Sequence, residues 1–222
     1  METESLFVKF KELYKERSLH DCQNKFIRDG IIDPIFFSSQ QTKILFIAKE
    51  HNHLGNPIEN PDEDDYRKWW NYHVHLQFSH RISEWAYGIL NGFPEGIEQL
   101  RYDQKHLALR SIAFINVKKA SGNSKADSNV ICHYISESRN LLHQQIEMIS
   151  PTLIICCLRQ DYYIESLFQL KMNTVETGIF SYGNWEGVPV INFYHPSSRK
   201  KKLFLYQQLQ EAVNHIKCMD GQ

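Results

Sequence analysis

The sequence predicts an α/β protein in three layers, a central, mostly parallel four-stranded sheet between two layers of helices. Three observations predict it. Four near-continuous apolar runs of strand length, KILFIAK (43–49), SIAFINV (111–117), TLIICCL (152–158) and VPVINFY (188–194), read as strands buried on both faces. The segments between them carry apolar residues at helical spacing, and strands alternating with helices imply a parallel sheet covered on both sides. With 222 residues, 42% hydrophobic and 23% charged, the chain suits one such domain, 1–222, with a full core.

In chain order, Leu6, Phe7, Phe10 and Tyr14 recur at helical spacing among charges and predict an amphipathic opening helix over 3–17. An irregular stretch with Gly30 and Pro34 comes next, so residues 1–42 read as an N-terminal helical extension packed on the domain. After the first strand, the acidic PDEDDY (61–66) suits a helix N-terminus, and helical pattern fills 65–90 until Asn91-Gly92 stops it. Asp127 is placed to cap a helix over 127–149 that ends at Ser150-Pro151. TGIFSYG (177–183), NWEG and VPVINFY read as a hairpin at one edge, which makes the sheet mixed there, and a last helix covers roughly 200–217.

Composition narrows the function classes. Lys+Arg 25 against Asp+Glu 26 leaves a net charge of -1, so no global basic field advertises nucleic acid, although one local stripe suffices for a small enzyme. Five cysteines without framework spacing suggest a reducing compartment, and Cys156-Cys157 inside an apolar run reads as core. The charged N-terminus does not read as a signal peptide, and the apolar runs are too short to cross a membrane. An intracellular, cytoplasmic monomer is expected. The histidine pairs His51/His53 and His73/His75 lack ligand spacing such as H-E-x-x-H, so neither a metal nor another cofactor is expected.

In open α/β sheets the ligand lies beyond the carboxyl ends of the strands. Those ends carry chemistry here: Lys49-Glu50-His51-Asn52-His53 after the first run, Asn116-Val117-Lys118-Lys119-Ala120-Ser121-Gly122 at the second, His195-Pro196-Ser197-Ser198-Arg199-Lys200 after the last. A structural turn needs only turn formers. A carboxylate, an amide, a histidine and lysines at successive strand ends point to a polar site.

On these residues the sequence resembles the uracil-DNA glycosylase superfamily. H-P-S stands after the last strand at 195–197, AKEHNH (48–53) stands where the family has patterns such as G-Q-D-P-Y-H, FINVKKASG (114–122) is similar to its strand ending in a base-reading Asn, and HRISEWAYGIL (80–90) to its first helix after the site loop. Ala48 and His51 replace the family's glycine and proline, and Ser198-Arg199-Lys200 replaces its Pro-Leu wedge. The resemblance implies a metal-independent hydrolase that flips a damaged base out of DNA and cuts its N-glycosidic bond. Glu50 would act on the attacking water, with Lys49 as the other register. His195 would donate to the base carbonyl. Asn116 and His53 would contact the base, with Trp69, Trp70 or Phe78 stacking on it. Lys118, Ser121, Ser197, Ser198, Arg199 and Lys200 would hold phosphate. Two other expectations keep the same pocket: a nucleotide- or nucleic-acid-binding module without chemistry, and a hydrolase of small nucleosides.

Overall fold

Ile44–Ala48 has no exposed side chain, and alternation along it decides the layers: Leu45 and Ile47 enter one apolar cluster, Ile44, Phe46 and Ala48 the other. In the computed structural model, which describes residues 2–19, 25–51, 65–122 and 126–220, that strand is β2. The others are β1 (Gly30–Ile31), β3 (Ala113–Asn116), β4 (Leu153–Cys156), β5 (Asn173–Thr174), β6 (Ser181–Trp185) and β7 (Val188–Asn192). The helices are α1 (Glu2–Glu16), α2 (Pro34–Ser38), α3 (Tyr66–Tyr72), α4 (Gln77–Leu90), α5 (Tyr102–Arg110), α6 (Ser128–Ile149), α7 (Asp161–Phe168) and α8 (Lys202–Asp220).

The expectation of a four-stranded sheet is corrected: among the described residues the sheet has seven strands, in the order β1-β3-β2-β4-β7-β6-β5. The four runs read from sequence form its parallel centre, β3-β2-β4-β7. β6 and β7 make the edge hairpin, turning at Glu186 and Gly187, both at positive φ. β5 pairs outside β6, and β1 pairs antiparallel to β3 at the far edge. β1 and β5 are two residues long each, too short to leave a periodic signal. The stretch after α1 therefore contributes a strand to the sheet.

One helical layer holds α1, α6 and α7, whose Phe7, Phe10, Tyr14, Tyr134, Leu142, Ile146 and Leu167 share a cluster. The other holds α3, α4, α5 and α8. Asp127 caps α6 by accepting from the Asn129 and Val130 amides. Asp65 caps α3, and the helical pattern after it breaks into two helices at His73–Leu76, where His73 is extended and Val74 is buried.

The edge is fixed by a buried ion pair. Lys119 Nζ lies 2.8 and 3.0 Å from the Asp29 carboxylate oxygens, with both side chains fully buried. The same carboxylate accepts from the Asn116 amide N–H at 2.8 Å and from Gln145 Nε2 at 2.8 Å. The segment before β1, the end of β3 and the C-terminal part of α6 are thereby tied to one point. Strand order then fixes where a ligand belongs. From β2 the chain crosses to β3 on one side, and from β4 to β7 on the other, so the crevice opens between the carboxyl ends of β2 and β4.

Candidate functional site

The parallel hydrogen bonding of β2 with β3 continues past the strand ends and positions the loops there. The Val117 and Lys118 amides donate to the Ala48 and Lys49 carbonyls at 2.9 Å each, and Gly122 N–H donates to His51 O at 2.8 Å. Glu50 is therefore held against the 118–122 loop. Lys118 Nζ donates to Glu50 Oε2 at 2.6 Å, with both side chains nearly buried. A methyl group on Gly122 would overlap the Glu50 carboxylate, so only glycine leaves room for it. Lys118 also lies 5.3 Å from the Tyr134 ring centroid. Its ammonium is committed to Glu50 and not offered to a phosphate, and Ser121 beside it is buried.

Asn116 ends β3 on the same face as Phe114, at 1% exposure. Its amide lies beside the Tyr66 hydroxyl, yet neither Oδ1 nor Nδ2 makes a hydrogen bond of good geometry. Tyr66 gives its own hydrogen bond to His51 Nδ1 or takes one from it, at 2.7 Å. Burial and the Asp29 charge push the Tyr66 phenol well above its ordinary range.

His195 is carried in by β7. Its Nδ1 accepts from the Ser197 amide at 3.2 Å, which in the neutral ring leaves the proton on Nε2. Burial, then the positive charge of Lys49, drives its pKa down to about 4. The ring is thus a neutral donor at physiological pH. Phe78 connects it to the sheet, its ring centroid 5.3 Å from His195 and 5.7 Å from Phe114. Trp70, by contrast, packs 4.6 Å from Phe114 with 4% exposure, as part of the core. Trp69 sets its edge against His51 at 5.6 Å. Of the three stacking candidates, Phe78 is the half-buried one that touches His195.

Ser197, Arg199 and Lys200 are exposed on the loop before α8, and Ser198 is half-buried there, its N–H donating to His195 O at 2.9 Å. His53 lies outside the described residues. The His73 and His75 rings meet edge to face with centroids 3.8 Å apart, and among the described residues no three His, Cys, Asp or Glu side chains converge on a metal-binding point.

Two residues enter that sequence reasoning ranked low or passed over. Lys49, the alternative register to Glu50, stands at the crevice between β2 and β4, its Nζ 4.9 Å from the Tyr163 ring centroid. Burial lowers its pKa, opposed by Tyr162 and Glu50. Arg81, one turn beyond Phe78 on α4, is buried with Nη1 unpartnered, and burial lowers its pKa as well. Its signal was an arginine amid the apolar positions of an amphipathic helix. A separate polar recess of about 180 Å³ opens between β6, β7 and α7. There the Asp161 carboxylate takes hydrogen bonds from Ser181 Oγ and, at 2.6 Å, from Asn192 Nδ2, so the recess is internally satisfied. No family model and no curated protein matches the sequence.

Proposed function

We propose that this protein excises uracil or a related damaged base from DNA by hydrolysing the N-glycosidic bond. The observation that carries the reading is Asn116, a fully buried amide with both polar atoms lacking good partners at the end of a central strand. Such a group costs about 1–3 kcal/mol when left unsatisfied, so its retention points to an outside partner with both a donor and an acceptor. The edge of a pyrimidine base is such a partner.

The neighbours fit that partner. Phe78 offers a ring face for stacking. The Nε2–H of neutral His195 donates to a base oxygen as negative charge develops on it when the glycosidic bond breaks. The carboxylate of Glu50 favours the cationic sugar and orients water, with Lys118 as its holder. Exposed Arg199 and Lys200 meet the DNA backbone.

The test is base release from labelled single- and double-stranded oligonucleotides containing uracil, by wild type, Glu50→Gln and His195→Ala. Each substitution is expected to slow release about 100-fold or more while the protein stays folded. Release unaffected by both substitutions would refute the site. One observation favours a second reading, a binding module without chemistry: the Glu50 carboxylate is closed in by Lys118 and Gly122. Salt-sensitive DNA binding without release of any damaged base would support that reading instead.

A further inference from the structure

We infer that Lys49 is a nucleophile, forming an imine with the C1′ aldehyde of a deoxyribose that has lost its base. The inference rests on the base-excision reading, since excision creates that aldehyde, but it is carried by separate observations. Lys49 is the first residue past β2, at the switch in strand order where this fold class takes its ligand. It is half-buried, and its Nζ lies over the Tyr163 ring with no ion pair or hydrogen bond among the described residues. The carboxylate next to it in sequence is occupied by a different lysine, Lys118, so Lys49 is spared a salt bridge that would keep it protonated. Its charge acts on the His195 imidazole, so amine and imidazole lie near each other at the carboxyl ends of the strands. Burial lowers the Lys49 pKa and raises the share of free amine.

The chemistry balances without an oxidant or a second substrate. The free abasic sugar opens to an aldehyde. The Nζ lone pair adds to C1′, the carbonyl oxygen takes up protons and leaves as water, and a C1′=Nζ bond remains. Loss of a proton from C2′ to solvent then expels the 3′ phosphate by β-elimination and nicks the strand. Hydrolysis of the imine returns the free lysine.

The experiment uses the full chain, a labelled oligonucleotide with a preformed abasic deoxyribose, and sodium borohydride to reduce any imine to a stable link. A tetrahydrofuran analogue, which has no aldehyde, serves as the blank. The expected result is a covalent protein–DNA adduct, mapped to Lys49 by peptide mass. It is expected to fall at least about tenfold in Lys49→Ala and in Lys49→Arg, which keeps charge and length if alanine disturbs folding. No adduct, or an adduct on another lysine that survives both substitutions, overturns the inference. A parallel uracil oligonucleotide separates the two claims. Base release without an adduct overturns the role of Lys49 and leaves excision standing; an adduct on the abasic strand without base release does the reverse.

Discussion

A buried amide without good hydrogen bonds costs stability, and Asn116 carries that cost while its neighbours on β3 are apolar. Asn116→Leu, which keeps the branched shape, is therefore expected to raise unfolding stability by about 1 kcal/mol in urea titration. Base release by the same variant is expected to fall about 100-fold. A loss of stability would show that the amide is satisfied within the fold and not waiting for a ligand. His195 gives a second reading at this scale. Its folded pKa is depressed to about 4, against about 6.5 in an unfolded chain. Between those values the unfolded chain binds a proton that the folded chain refuses. Stability contributed by neutral His195 is thus full above about pH 6.5 and is lost as the pH falls toward 4. Urea melts across that range are expected to show this slope in wild type and a shallower one in His195→Asn. Base release is expected to show no inflection near pH 6.5. Asn116 and His195 were legible because a strand end announces itself in sequence. The Glu50–Lys118 pair was not, because it joins two loops that lie 68 residues apart.

Among the elements, the Asp29–Lys119 pair decides whether β1 stays on the sheet. Nothing in the sequence marked Asp29: the strand after it is two residues long, and its partners come from β3's end and from α6. Replacing one member of a buried pair leaves the other uncompensated, so Lys119→Met is expected to cost about 3–5 kcal/mol. Adding Asp29→Leu to it is expected to recover much of that loss, since an apolar pair of similar volume needs no countercharge. Equilibrium unfolding of the two variants checks both. The contrast with Lys118 is instructive, because two adjacent lysines that look alike in sequence have separate carboxylates. The buried strands were legible as near-continuous apolar runs and the long helices by period. The break between α3 and α4 was not, since both sides keep helical spacing and only the packing of Trp70 and Phe78 around Phe114 separates them.

For the whole molecule the proposed reading raises the question of how a chain with a net charge of -1 would hold DNA. The answer has to be local. Of the run Arg199–Lys202, Lys202 is already bound to Glu84 at 2.8 Å, while Arg199, Lys200 and Lys201 are exposed beside the loop that positions His195. Three phosphate contacts release about three counterions, so log Kd should climb with log salt at a slope of about 2.7. Arg199→Ala with Lys200→Ala is expected to bring the slope near 1 and to weaken binding at low salt, leaving the fold and His195 in place. Fluorescence anisotropy of a labelled oligonucleotide at several salt concentrations measures both quantities. A slope near zero in wild type would mean that no phosphate is held there. The pocket would then be serving a free nucleoside, whose glycosidic bond asks for the same amide and imidazole but for no basic stripe.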